Sequence, residues 1–469
     1  MSAVVDPDPA QRPALATRYA QFASGLTLAQ IPEAVQARAK LCILDALGTG
    51  LAGSAYPFAE KTANALGALG GRGASSVIAL PLSLPLRDAV MLNGTLIHGL
   101  DYDDTHGASI VHASASAVPT VLGMAEARHS SGADALLAYL IAVECAARIG
   151  RVAEGGFQKV GFHPTGVVGC FGASLAAGRL LQLDVQTLVM TQGIALSFAS
   201  GSLEFLSDGA WTKRIHPGWA AAAGITAATL AEHGFLGPGA PYEGRFGLYN
   251  AYLGTQRQWD LDSAREGLGE VWETANMAIK PYPVCHFNHA CADAVLHLMQ
   301  QHDVTADQIK SMTGRIHAEQ LPVVCEPEAA KRRPVSDYDA KFSLPFVMAA
   351  SAVRGRFTLD ELEEDALHDT AILELCDRVR CEPMADSAYP RYYSGEVVIE
   401  TRDGATFTHV ERINRGADAR PLAASDITAK FLDNAQRVLA PADAQAVVEQ
   451  VLALEEQPDL SALWALLRR

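Results

Sequence analysis

Residues 31–54, IPEAVQARAKLCILDALGTGLAGS, set the fold class. Ile31, Val35, Cys42, Ile43 and Leu47 fall on roughly one stripe of an α-helix, and Pro32 suits a first helical turn, where a missing N–H costs little. The same texture runs from Thr17 to about Leu230, in long segments rich in Ala, Leu and Gly with few alternating β-branched runs. Small residues concentrate in 165–178 and 218–231, where they allow helices to approach closely. This part of the chain reads as an all-α core.

Between about Gly234 and Gly269 the chain becomes a loop containing Gly237, Pro238, Gly239, Pro241, Gly244 and Gly247, which marks a boundary. Shorter elements follow: a helix over His289–His302 and an alternating strand near Ser311–His317. Glu396–Thr401 and Thr406–Val410 flank the turn Arg402-Asp403-Gly404 and read as a β-hairpin. After Arg420 the pattern is helical again, with Ser425 or Asp426 as N-cap candidates. The expected protein is mainly α: a large helical domain over 1–270, with 415–469 packing back on it, and a smaller α+β domain over 271–414.

Composition narrows the function. The 469 residues carry 37 Lys+Arg against 53 Asp+Glu, a net charge of −16, and 49% of them are hydrophobic. Neither disorder nor a fibrous fold is expected, and the acidic balance argues against nucleic acid or an anionic membrane as partner, since either requires a basic face. A small substrate fits better. The first residues, MSAVVDPDPAQRP, lack a basic segment followed by an apolar core, so no secretory signal is expected. Arg179 and Gln192 interrupt the most apolar stretches, which fall short of the ~20 residues that span a bilayer. Eight scattered cysteines without a C-x-x-C fit a reducing compartment, and a cytoplasmic protein without a cysteine-ligated metal is expected.

Five clusters carry possible chemistry. In Leu100-Asp101-Tyr102-Asp103-Asp104-Thr105-His106, followed by His112, carboxylates and imidazoles crowd together, which is costly near an apolar core unless they are paired or functional. An exposed loop is the plain alternative. The segment also matches the D-x-D-x-T nucleophile of phosphotransferases, but that chemistry needs a buried strand before the motif, whereas Ala89–Gly99 reads as a helix. In Gly161-Phe162-His163-Pro164-Thr165-Gly166, Pro164 favours an extended His163 just before a helix start, where free N–H groups can hold a carboxylate. Lys213-Arg214-Ile215-His216 is a local basic cluster of the kind an anionic substrate requires in an acidic protein. Lys280-Pro281-Tyr282-Pro283-Val284-Cys285-His286 and the stretch Lys331-Arg332-Arg333-Pro334 through Lys341-Phe342-Ser343-Leu344-Pro345-Phe346 add further polar groups beside helix starts. Cys285 and His289, spaced i and i+4, do not by themselves make a zinc site.

Taken in order, DYDDTH with His112, GFHPTGVVG, LEFLSDGAWTKRIHPGWAA, KPYPVCHFNHA and KFSLPF resemble the MmgE/PrpD family, from about residue 17 to the C-terminus. The resemblance implies a large helical domain with a smaller α+β lid, a homodimer, and chemistry on small di- or tricarboxylates without metal or organic cofactor. The family's activities include 2-methylcitrate dehydration, cis-aconitate decarboxylation and iminodisuccinate epimerisation. By the same resemblance Asp101, Thr105, His112, His163, Lys213 and Lys280 converge between the domains, with His216 and Cys285 nearby. His163 or His112 is the expected proton carrier, and Asp101 is expected to orient a histidine. Lys213 and Lys280 would hold substrate carboxylates, and Thr105, Arg214 and His216 would bind substrate. A 2-methylcitrate dehydratase-like lyase is the first expectation and an epimerase the runner-up. A silent helical binding protein is the alternative outside enzymes. By the same resemblance, the animal members that decarboxylate cis-aconitate carry a histidine where this chain has Cys285 and a tyrosine where it reads Cys325-Glu326-Pro327-Glu328, so weak or no conversion of cis-aconitate is expected.

Overall fold

The computed structural model describes residues 14–207, 209–256 and 259–468. The chain divides into two compact units. Of the described residues, the first comprises those within 14–99, 103–277 and 427–468, and the second 100–102 and 278–426. The protein is mainly α, with its four-stranded sheet in the second unit.

The first unit is built on long helices: α1 (Glu33–Gly53), α2 (Leu86–His98), α3 (Ala113–Arg128), α4 (Gly132–Val152), α5 (Pro164–Leu180) and α6 (His216–Glu232). Pro32 is the N-cap of α1 rather than a residue of its first turn. Its backbone is extended, and its carbonyl accepts from Val35 and Gln36 at 2.9 and 3.1 Å. Helices α3, α5 and α6 are buried over most of their surfaces, which is why their sequences show apolar and small residues all round rather than a stripe. Their close approach depends on glycine. A Cβ on Gly94 of α2 would lie 2.6 Å from Gly218 Cα of α6, and one on Gly169 of α5 would lie 2.9 Å from Ser116 Oγ of α3.

The loop expected over 234–269 contains two short helices, Leu248–Leu253 and Asp262–Arg265. The unit boundary falls after Met277 rather than after 270. The Glu144 carboxylate accepts from the backbone N–H groups of Glu273 and Thr274 at 2.9 and 2.8 Å, and Arg38 donates to the Met277 carbonyl at 2.6 Å. These bonds hold 271–277 to the helices.

In the second unit, β1 (Ile309–Ile316) lies between β2 (Val379–Pro383), parallel to it, and β3 (Gly395–Thr401), antiparallel. The strand β4 (Thr406–Glu411) completes the hairpin. The hairpin register pairs Val398 with Thr408. Helices α7 (His289–His302) and α8 (Leu344–Arg354) pack on the sheet. Gly314 is needed under α8, where a Cβ would lie 2.7 Å from Met348 Sδ.

The chain returns to the first unit at Ile427, later than the expected 415. The residues between stay with the second unit through Ile279 N–H to the Gly416 carbonyl, 3.2 Å, and the Arg415 contact to Asp293, 3.1 Å. Helix α9 (Ala424–Ala435) already includes Ser425 and Asp426, so neither is its N-cap. An acidic side chain in the first turn is favoured there by the helix dipole instead. Phe431 sits over Gly48 of α1, and Lys430 pairs with buried Asp45 at 2.6 Å. Helix α10 (Pro441–Leu452) also packs on α1. Among the described residues no helix is long and apolar enough to cross a membrane.

Candidate active site

The glycine-mediated crossings bring four helix ends of the first unit together, and each ends in a histidine. His98 is the last residue of α2, His112 and His163 are the N-caps of α3 and α5, and His216 opens α6. All four are buried. Ring centroids lie 4.7 Å apart for His98 and His112, 5.5 Å for His98 and His163, 5.8 Å for His112 and His163, and 5.3 Å for His163 and His216. Thr165 Oγ1 accepts the His112 backbone N–H at 3.0 Å and ties the starts of α3 and α5 together. Three helix N-termini at one place make it electropositive, as an anion site requires.

Hydrogen bonding orders the rings. Asp103, fully buried, accepts from His98 Nδ1 with its two oxygens at 2.9 and 3.0 Å, and its Oδ2 lies 3.5 Å from His112 Nδ1. His112 Nδ1 also lies 2.8 Å from the Asp104 carbonyl, which can only accept, so Nδ1 carries the hydrogen and the lone pair falls on Nε2. Thr105 Oγ1 lies 3.2 Å from the same nitrogen. His163 Nδ1 and His216 Nδ1 are 3.1 Å apart, so one of them donates to the other. The Nε2 atoms of His98 and His163 are buried and make no hydrogen bond.

Electrostatics keep two of these imidazoles neutral. Burial, then the Lys213 ammonium and the other three rings, hold His163 well below the usual imidazole range. Burial, His98 and Lys213 bring His216 down to about 4. Both are therefore bases at neutral pH, and an incoming carboxylate would reverse the field that keeps them so. Lys213 is half-buried in the 3-10 turn Trp211–Ile215. Its neighbour Arg214 lies over the rings of Phe58 and Trp211, at 4.8 and 5.0 Å.

The three carboxylates of the DYDD segment have different surroundings. Asp103 serves the imidazoles, and Asp104 accepts from Ser114 N–H at 3.2 Å and from the Ser114 hydroxyl, which also lies 2.7 Å from Tyr139 OH. Burial pushes Asp104 up to about 8 against the Ser114 hydrogen bond. Asp101, in the second unit, has a left-handed backbone with φ of 53°. Lys280 holds it there, with Nζ 2.6 Å from its carbonyl and 3.1 Å from its carboxylate. His106 bonds Glu273 at 3.0 Å, away from the imidazole cluster.

In the second unit, Lys341 Nζ donates to the carbonyls of Leu100 and Pro283 at 2.7 and 3.1 Å, and Tyr102 OH donates to that of Pro281 at 3.1 Å. Cys285 donates its N–H to the Lys341 carbonyl at 2.9 Å. Its thiol lies within electrostatic reach of Tyr393, whose hydroxyl burial and Cys285 push up to about 12.

The first unit thus unites Thr105, His112, His163, His216 and Lys213, and the second unites Asp101 with Lys280. His98 and Asp103 escaped the reading of the sequence as functional residues. The available signal was an imidazole at the end of the helix read over Ala89–Gly99, five residues before a carboxylate.

A helical unit whose helix ends gather imidazoles, a carboxylate and a lysine is equipped for acid–base chemistry on an anion. Comparison with known proteins gives the family. The MmgE/PrpD N-terminal domain model matches residues 17–260 and the C-terminal domain model matches 282–456, and the chain belongs to this family. It is 27% identical to a cis-aconitate decarboxylase-like protein of Aspergillus oryzae over 453 residues, 93% of this chain and 94% of that one. It is 29% identical to the cis-aconitate decarboxylase of Homo sapiens over 466 residues, 96% and 94% of the two chains. With that of Aspergillus terreus the identity is 26% over 464 residues, 95% and 94%.

Proposed function

We propose that this protein is a cofactor-free lyase that moves protons at the carbon beside a carboxylate of a small di- or tricarboxylate, with 2-methylcitrate-type dehydration as its first activity. The observation that carries this reading is the pair of imidazole couples, His98–Asp103–His112 and His163–His216, beside Lys213 at three helix N-termini. Dehydration removes a proton from the α-carbon and adds one to the departing hydroxide, so it needs a base and an acid. In the tautomer in which His163 Nδ1 donates to His216, the neutral His163 carries its lone pair on Nε2, which makes no hydrogen bond, and takes the α-proton there. The Lys213 ammonium offsets the charge that develops on the carboxylate-stabilised carbanion. His112, once it also carries a proton on Nε2 with the Asp103 carboxylate beside it, gives that proton to the departing hydroxide. A cytoplasmic location is part of the proposal on the ground of the scattered free cysteines, and a homodimer on the ground of the family resemblance.

Decarboxylation of cis-aconitate is the second reading, favoured by the names of the relatives. It breaks a carbon–carbon bond and delivers a single proton to carbon, which needs one imidazole couple, and by the resemblance drawn above Cys285 stands where the animal decarboxylases carry a histidine. The test is NMR in deuterated water with 2-methylcitrate, citrate, cis-aconitate and iminodisuccinate, with and without a chelator. Loss of water from the first two, unaffected by chelation, is expected. Carbon dioxide release from cis-aconitate at the rate of the best substrate would put the second reading first. An absence of turnover and of deuterium exchange with all four would leave a binding protein, and a stoichiometric loss restored by Mg²⁺ would revive phosphotransfer.

The depressed imidazoles carry a thermodynamic consequence. They are unprotonated in the free protein at pH 6–7, and a bound polyanion raises their affinity for protons, so binding takes up protons. Calorimetry of citrate binding at pH 6 in buffers of different ionisation enthalpy should show net uptake of up to about one proton. Proton release would contradict the assignment.

A further inference from the structure

The imidazoles that accept protons are also lone-pair donors, and their arrangement has a second chemical use. One ring nitrogen from each of His98, His112 and His163 lies within 4.8 Å of the other two. On each ring Nδ1 is already engaged, which leaves Nε2 as the nitrogen a ligand would take. His98 Nδ1 is held by the Asp103 carboxylate, His112 Nδ1 by the Asp104 carbonyl and His163 Nδ1 by His216. The contacts of His98 and His112 are of the kind that orients metal-bound histidines, the far nitrogen donating to a carboxylate or carbonyl, which fixes the tautomer and makes the ligand more basic. Buried Nε2 atoms on His98 and His163 without a hydrogen bond are costly in a protein interior unless something accepts their lone pairs.

We propose that His98, His112 and His163 form a binding site for a zinc-like divalent transition ion, with Asp103 as the supporting carboxylate, and that the ion excludes the carboxylate substrate. Bonds of ~2.0–2.1 Å in tetrahedral geometry place ligand nitrogens about 3.3 Å apart, so ring rotations of modest size close the site, and a water molecule takes the fourth position. Imidazole ligands select zinc, cobalt, nickel or copper over magnesium and calcium, which prefer oxygen. Asp103 contributes one compensating negative charge. Lys213 opposes a cation, but it is half-exposed on a flexible stem. The sequence could not display this ligand set, because residues 98, 112 and 163 have no metal-motif spacing and meet through helix packing.

The claim that the ion blocks turnover rests on the function proposed above, whereas binding does not, so binding is measured without substrate. Equilibrium dialysis of the full chain against Zn²⁺ should give one tightly held ion, and Co²⁺ should produce the intense visible absorption of a tetrahedral complex. Mg²⁺ should not compete. Asp103→Asn should weaken zinc binding by about 10–100-fold through loss of the supporting carboxylate, and His98→Gln by more, with folding checked by circular dichroism. Zinc binding unchanged in both His98→Gln and His112→Gln, or no stoichiometric binding at 100 micromolar free metal, would overturn the site. In the wild type, zinc should abolish turnover of whichever carboxylate is transformed, and a chelator should restore it. Undiminished turnover with zinc bound would overturn the exclusion of substrate and separate the metal site from the reacting one.

Discussion

His163→Gln should lower kcat on the best carboxylate by about 10²–10⁴-fold while leaving the fold intact. Glutamine is close to histidine in length and can keep a hydrogen bond to His216, so the N-cap of α5 and the contact with α6 survive. It cannot exchange a proton near neutral pH. The loss should fall on kcat more than on KM, because proton transfer belongs to the transition state rather than to binding. The wild-type acid limb offers a second readout. Burial and Lys213 hold His163 below the usual range, and His216 sits at about 4, so the basic form persists as pH falls through 6 and activity should decline only in more acidic solution. In the variant that limb should change. A kcat within threefold of wild type with an unaltered pH profile would remove His163 as the proton carrier and pass the role to His112.

How the sequence foretells this site differs from residue to residue. His163 was legible because Pro164 imposes an extended conformation before it and tolerates a first helical turn after it, which is the N-cap arrangement observed. The hairpin over 395–411 was legible because alternation and an Arg402-Asp403-Gly404 turn are local signals. The roles within Asp101-Tyr102-Asp103-Asp104 were not. Neighbouring carboxylates point in different directions on an irregular backbone, and the left-handed turn at Asp101 sends it to Lys280 while Asp103 turns to His98. No periodicity describes such a segment. The small residues of 165–178 and 218–231 announced close helix packing, but not that Gly94 would meet Gly218 and so bring the end of α2 beside the start of α6. For the same reason Leu100–Tyr102 could not be assigned from sequence to the unit that begins at Ala278.

Replacing Lys213 by methionine should cost about 2–5 kcal/mol in kcat/KM, roughly 30-fold to several thousand-fold, if its ammonium faces a desolvated carboxylate or the carbanion formed from it. Methionine retains the apolar stem, so the Trp211–Ile215 turn should persist, and arginine at this position should restore part of the activity. A loss of activity alone would not separate electrostatics from disturbed packing, but the imidazoles can. Lys213 is among the charges that hold His163 and His216 down, so its removal should raise both pKa values. His216 should move up from about 4 yet stay below 6.5, because its burial is unchanged. Titration of the histidine ring signals by NMR measures this without substrate. The consequence for pH dependence has a definite sign. The free variant binds more protons between pH 4 and 6.5 than the wild type, so its acid limb shifts to higher pH and its proton uptake on binding an anion falls. Unmoved ring titrations would mean that Lys213 does not share the imidazoles' field, and with unchanged kcat/KM they would exclude it from the site.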